Sequence, residues 1–322
     1  MANFAWHKRL DAFYLKDLYA GPVDWVFPHR VETEIIHNGA LSYPRNTPVL
    51  EANKSLWSSL LRHDEPFSVL ATVFAWHHVT SEHVGFICGI DLDGADDLLN
   101  LMFEAGLVER GFFSQSLCGT NTYPAASTVW RLGDVDTVKE FLGLADGRRS
   151  EKVTYDADLG RGPDHLRHNL CTTELACRLG EVHSDTFPLL LGEPFVTLSK
   201  VFKTNEVFKK SQAKPDFAAI RFDGFKVFFE TTNYPQGLRK KVQRWAAGLK
   251  TEMNAMVLFP VISDVPDFEE FVLRITSNKT LGVYADNWKH TAARIGFIQW
   301  DHWFPQMGNT TKAWDDLTFS HA

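Results

Sequence analysis

The sequence predicts a protein of mixed α+β and α/β character with two domains in series. The first is a set of helices closed by a β-hairpin, and the second is a set of helices around a mixed sheet. Three observations predict this. Between residues 66 and 132, apolar residues recur at helical spacing and then give way to two strand-like runs. Between 145 and 160 lies a stretch rich in charge, glycine and small residues, within LADGRRSEKVTYDADLGRGPD. Beyond it the patterns run helix, strand, strand, strand, helix, strand, helix, strand. A chain of 322 residues is long enough for two domains.

Composition narrows the class. Hydrophobic content of 44% and charged content of 23% are ordinary for a globular protein, and 25 Phe with 10 Trp can fill large cores. No apolar run approaches the roughly 18 residues of a membrane span, so no membrane partner is expected. The opening MANFAWHKRLDAFYL lacks the apolar core and small-residue cleavage site of a secretory signal. Four cysteines with no CxxC pair point to reduced thiols and a cytoplasmic protein. Cys171 and Cys177, near His165 and His168, lack zinc-module spacing and read as small apolar residues on a helix. Neither Gly85–Gly94 nor Gly106–Gly119 ends in GK[ST], so no nucleotide cofactor is expected.

Residues 1–62 yield no clear fold. Alternation in VDWVFPH and a short helix near Leu56–Leu61 are all that can be placed, and Pro22, Pro28, Pro44 and Pro48 break the segment into short elements. The next domain spans 63–145. Phe67, Leu70, Val73 and Phe74 make a first helix. Thr80 caps a second that ends at Gly89, and Asp93 or a neighbour caps a third over Ala95–Ala105. Gly106 turns the chain into a strand, Thr128–Leu132 returns as its partner, and Val135–Leu142 closes the domain as a helix. Residues 146–163 are the linker, and 164–322 form the second domain.

That domain opens on a helix, His165–Leu179, with Leu166, Leu170, Leu175 and Leu179 in a stripe and Gly180 as its stop. Pro194–Ser199 is a strand candidate. Ala218, Ile220 and Phe222 then alternate as one buried face of a strand, Asp223-Gly224 marks a two-residue hairpin loop, and Lys226–Thr232 is the return strand. A basic amphipathic helix follows over Leu238–Leu249, burying Leu238, Val242, Trp245 and Leu249. Ala255–Val261 reads as a buried strand, Asp267–Thr276 as a helix and Arg294–Trp300 as a final strand.

The chemistry centres on two acids. Asp216 opens the first strand of the hairpin and Glu230 nears the end of the second, so antiparallel pairing brings both carboxylates to one end. Such a pair suits a hard divalent cation, typically Mg²⁺. The bland alternative is a hairpin whose acids are solvated or paired with Arg239 and Lys240.

Charge adds a second signal. The chain carries −7 overall, yet residues 196–250 hold twelve Lys/Arg against four Asp/Glu, while residues 1–133 hold nine against fifteen. A basic segment in an acidic chain points to a localised polyanion contact. Lys200, Lys203, Lys209, Lys210 and Lys214, running into Asp216, with Arg239, Lys240 and Arg244 on the basic helix, are the candidate nucleic-acid-binding residues.

Pro215-Asp216, the hairpin and Glu230-x-x resemble the PD-(D/E)xK nuclease superfamily. That resemblance implies that Asp216 and Glu230 hold Mg²⁺ and that a lysine orients the attacking water. Thr232 stands where the lysine is expected, and Lys241 on the basic helix is the candidate displaced lysine. The resemblance further implies an additional acid on the preceding helix, for which Glu174 is the candidate. The helices and hairpin of 66–132, with FEAGLVERG at their junction, resemble a winged helix-turn-helix domain.

The third helix of that domain carries Asp91, Asp93, Asp96, Asp97 and Glu104, which would repel phosphates, and Asn100 is its one base-reading side chain. A protein partner or self-association is the expected role of this domain. If it meets DNA, it does so through Arg110, Ser114, Gln115, Asn121 and Arg131. Both halves together, with His168, Pro215-Asp216, Glu230, Lys241 and Trp245, resemble the replication-relaxation family of bacterial plasmids and other mobile elements. This implies a DNA-binding protein with a nuclease-like domain, active or inactive. A third reading is a winged-helix regulator with an effector domain.

Overall fold

The computed structural model describes residues 19, 21, 23–26, 35–36, 54–113, 128–145, 163–196, 213–232, 237–249, 253–262 and 294–300. Two compact units emerge from its contacts, the main body of the first running to Cys177 and that of the second from Arg178.

The first unit contains β1 (Val23–Val26), β2 (Ile35–Ile36), α1 (Trp57–Leu60), α2 (Glu65–Trp76), β3 (His78–Val79), α3 (Ser81–Cys88), α4 (Leu92–Glu104), β4 (Val108–Phe113), β5 (Thr128–Leu132) and α5 (Val135–Ala145). Its punctuation follows local chemistry. The Thr80 hydroxyl accepts from the His83 amide, and the His83 ring accepts from the Thr80 amide, a reciprocal cap that starts α3. Gly89, at φ 71°, ends it. Asp91 caps α4, accepting from the Gly94 amide at 2.7 Å, so the cap sits two residues before Asp93. At the far end Gly106 takes φ 76° and the Leu107 amide reaches back to the Met102 carbonyl, which turns the chain into β4.

The sheet of this unit has the antiparallel order β2-β1-β4-β5-β3. The hairpin β4–β5 was legible in the sequence. Alternation in VDWVFPH marks β1, but its pairing with β4 joins residues far apart in the chain, which no local pattern announces. Trp25 and Val23 are buried there, and a Cβ on Gly111 would come within 2.5 Å of Val23 Cγ1, so only glycine lets β1 lie so close.

The second unit carries a mixed sheet in the order β10-β9-β8-β7-β6. Its strands are β6 (Leu189–Gly192), β7 (Phe217–Ile220), β8 (Lys226–Phe229), β9 (Ala255–Val261) and β10 (Ile295–Gln299). Strands β6, β7 and β8 form an antiparallel meander, and β9 and β10 add in parallel. Helix α6 (Pro163–His183) precedes the sheet, and α7 (Leu238–Leu249) connects β8 to β9.

Several expectations shift here. Helix α6 runs through Gly180 to His183, since one glycine costs a helix only about 1 kcal/mol. Up to Cys177 that helix belongs to the first unit rather than opening the second. Of the strand expected at Pro194–Ser199, Pro194 and Phe195 belong to a turn of 3-10 helix over Glu193–Phe195 and residues 197–199 lie outside the described residues, while a strand, β6, precedes that turn. Strand β7 buries Phe217, Ala218 and Ala219 in succession, because a central strand is covered on both faces. Phe222 is therefore no part of a buried face. It sits at 76% exposure in a three-residue loop, closed by Arg221 pairing with Phe225 and by Gly224 at φ 81°. Of the linker expected at 146–163, residues 146–162 lie outside the described residues and Pro163 opens α6; the helix expected at Asp267–Thr276 lies outside them as well.

Candidate functional site

Strand period decides which acids meet. Ala218 and Phe228 belong to the core cluster that packs under α7 with Val242, Trp245, Ala246 and Leu249. Asp216 lies two residues before Ala218 and Glu230 two residues after Phe228, so both carboxylates point to the α7 side of the sheet. On the other side Phe217 and Phe229 stack with ring centroids 4.1 Å apart, which locks the register one pair inward from the acids.

Both acids are held by named donors. The Thr231 amide donates to Asp216 Oδ2 at 2.6 Å, and the Asp216 amide donates to the Phe229 carbonyl at 2.8 Å. Glu230 is buried, while Asp216 is half-buried. The Lys241 ammonium donates to Glu230 Oε1 at 2.9 Å, and the Trp245 indole N–H donates to Oε2. Lys241 and Trp245 are one helical turn apart on α7, so a single helix face brackets the carboxylate.

Electrostatics follow the geometry. Burial lifts the Glu230 carboxyl above its ordinary value; Lys241 opposes this and the Asp216 charge adds to it. Burial works against the Lys241 ammonium, but Glu230 and Asp216 outweigh it and hold its pKa above the usual lysine value. The site is one cation set against two neighbouring carboxylates.

Of the expected site residues, Asp216, Glu230 and Lys241 converge. Lys214, Arg239, Lys240 and Arg244 are exposed. Lys200, Lys203, Lys209 and Lys210 lie outside the described residues. Thr232 is buried, with its hydroxyl on the Glu230 carbonyl at 3.3 Å and its amide on the Pro260 carbonyl. Glu174 takes a role other than the one expected. Its Oε2 lies 2.8 Å from His83 Nε2 in the first unit, and both side chains are fully enclosed. A polar residue on α6 found a histidine on α3 to satisfy it, a pairing between residues 91 positions apart that no local pattern announces. Trp245 as a donor to Glu230 also escaped the sequence, where it read as a core residue.

As for a metal, the donor set offers two hard oxygen ligands on adjacent strands, and Mg²⁺ is commonly held by one or two carboxylates with water and phosphate completing its shell. Asp216 and Glu230 fit that minimum. Among the described residues no group of three or more His, Cys, Asp or Glu is arranged to hold a metal.

In the first unit the residues expected to meet bases are engaged internally. Arg110 donates to Asn100 Oδ1 at 2.8 Å and lies over the Phe103 ring. Arg131 is buried, paired with Glu109 at 2.8 Å and lying over Trp25, so the expectation that it reads DNA gives way to a structural role. Asp91, Asp93, Asp97 and Glu104 line the exposed side of α4. Ser114, Gln115 and Asn121 lie outside the described residues. Among the described residues no helix is long and apolar enough to cross a membrane. No protein-family model, curated protein or solved structure matches this chain.

Proposed function

We propose that this chain is a DNA-binding protein whose second unit is a nuclease-like domain, with Asp216, Glu230 and Lys241 acting at a phosphodiester. The observation that carries this reading is the convergence of those three side chains at one end of the sheet, with Lys241 2.9 Å from Glu230. The order helix, three antiparallel strands, helix, parallel strand supports a PD-(D/E)xK-like core, with the lysine supplied from α7 instead of position 232.

Within that reading Asp216 and Glu230 would hold Mg²⁺, which supplies Lewis-acid charge beside the phosphate. The Thr231 amide and the Trp245 indole fix the two carboxylates. Lys241 sets positive charge where negative charge develops in the transition state. Exposed Lys214, Arg239, Lys240 and Arg244 hold the nucleic-acid backbone. The acidic outer side of α4 suits a protein partner or self-association of the first unit. A role in plasmid or mobile-element replication is part of the same proposal.

The test is a cleavage assay on supercoiled, linear and single-stranded DNA with Mg²⁺ or Mn²⁺, with Asp216→Ala and Glu230→Ala beside the wild type. Metal-dependent product lost in both variants supports the reading, and product retained in either overturns it. A second reading, a nuclease fold kept as a DNA or protein platform, is favoured by buried Thr232 at the usual lysine position. Salt-dependent DNA binding with no product from any of the three proteins would favour it.

A further inference from the structure

We propose that the Lys241 ammonium is the resident cation of the Asp216–Glu230 pair, and that a divalent metal loads only by displacing it. This rests on the reading of the pair as a cation site. Glu230 is a buried carboxylate beside a second carboxylate, an arrangement that burial penalises unless positive charge compensates it. Trp245 gives Glu230 a hydrogen bond but no charge. Lys241 supplies the charge, at 2.9 Å from Oε1.

The two donors differ in their freedom. Trp245 is 0% exposed within the core cluster, so it anchors Oε2 and the α7 backbone together. The Lys241 side chain is 34% exposed, on a flexible four-carbon stem at the solvent side of the carboxylate. A metal approaching from solvent therefore meets Oε1, the oxygen that Lys241 holds. An ammonium and a divalent cation cannot share that atom without strong repulsion. Lys241 must swing outward, which carries its charge toward the place where a phosphate would bind.

The experiment measures Mn²⁺ affinity by water-proton relaxation in wild type, Lys241→Met, Lys241→Arg and Glu230→Gln, with far-UV circular dichroism to verify folding. Lys241→Met is expected to bind Mn²⁺ about tenfold more tightly than wild type, or better, because the competing charge is gone. Lys241→Arg should bind no more tightly than wild type. Equal or weaker binding by Lys241→Met, with binding still lost in Glu230→Gln, overturns the proposal while leaving the cation site standing. Absence of any Glu230-dependent Mn²⁺ binding in wild type and Lys241→Met alike overturns the cation-site reading itself. Should Lys241→Met fail to fold, the acetylation rate of Lys241 in wild type decides. Mn²⁺ should raise it severalfold, and an unchanged rate at saturating Mn²⁺ overturns the proposal.

Discussion

Nε2 of His83 lies 2.8 Å from Oε2 of Glu174, with neither side chain exposed. The other ring nitrogen decides what this contact is. Nδ1 of His83 accepts the Thr80 backbone N–H at 3.1 Å, so Nδ1 carries no proton and the hydrogen must be on Nε2. The pair is thus a neutral imidazole donating to a buried carboxylate, and it fastens α6 to the capped start of α3. Nearby, Asn169 bonds the His78 ring at 2.9 Å, and the Thr173 hydroxyl donates to the Asn169 carbonyl at 2.8 Å with the His78 carbonyl at 3.4 Å, extending the same polar seam.

Glu174→Ala should therefore cost about 1–3 kcal/mol, since it strands a buried neutral imidazole N–H. Glu174→Gln should cost much less, because an amide oxygen can accept the same proton. Urea denaturation of the first-unit transition, followed by circular dichroism, measures both. Equal losses would mean that the imidazole is charged and that the tautomer argument fails.

This seam marks where the sequence stopped being legible. The ends of α3 and α4, the basic face of α7 and the run Ala255–Val261 could be read because capping, helical period and buried-strand composition are local. Glu174 looked like a candidate metal ligand because its partner, His83, is remote in sequence, and an acid on an amphipathic helix looks the same whichever group it meets. Phe222 looked buried for a related reason. Alternation across Ala218–Phe222 fits a one-faced strand, but β7 is central, and the chain turns away after Ile220. Lys241 could be nominated because charge and helical phase put it on α7. Its contact with Glu230 depends on how α7 packs across the sheet, which no spacing fixes.

The buried pair of Glu109 with Arg131 gives a pH dependence whose sign can be worked out. Burial pushes the Glu109 carboxyl from 4.5 up to about 7, with Arg131 opposing the rise and Asp134 adding to it. Between those values the folded chain keeps a proton that the unfolded chain has released. The stability this group contributes is therefore present below about pH 4.5 and lost as pH climbs to about 7. His78 acts in the opposite sense. Burial first, then the nearby charges of Arg131, His77 and His165, lower its pKa well below 6.5, so its contribution is full above 6.5 and declines as pH falls. Glu109→Gln should remove only the first effect. Its stability relative to wild type should improve steadily from pH 4.5 to 7, read from urea midpoints, and parallel curves would contradict the assignment.

Gly133, just after β5, tests packing without charge. A Cβ there would approach the Gly106 carbonyl oxygen to 2.6 Å and the Leu107 carbonyl carbon to 2.9 Å, both backbone atoms that cannot rotate away. The Gly133 amide also donates to the Leu107 carbonyl at 2.9 Å, so the two segments are tied at that point. Gly133→Ala should destabilise the first unit by about 1–3 kcal/mol. Gly143→Ala, on α5 with nothing within 4 Å of the added methyl, should be neutral or slightly stabilising. Thermal melts of the two variants give the comparison, and similar losses would mean that the approach at Gly133 relaxes.

Trp245→Phe isolates one hydrogen bond at the candidate site. The tilted ring contact with Phe228, at 5.2 Å between centroids, survives in a phenyl ring, while the N–H to Glu230 Oε2 does not. A buried carboxylate that loses one donor should cost about 1–3 kcal/mol, more when it is ionised than when it is protonated. Since burial already raises the Glu230 pKa, its contribution to stability is present below its ordinary 4.5 and lost as pH rises through the folded value. Removing the indole N–H raises that value further and steepens the loss. The cost of Trp245→Phe should thus be small near pH 4 and larger near pH 8, measured by urea midpoints in far-UV circular dichroism. A cost independent of pH would mean that the indole packs against Glu230 without donating to its charge, and that Lys241 alone holds the carboxylate in place.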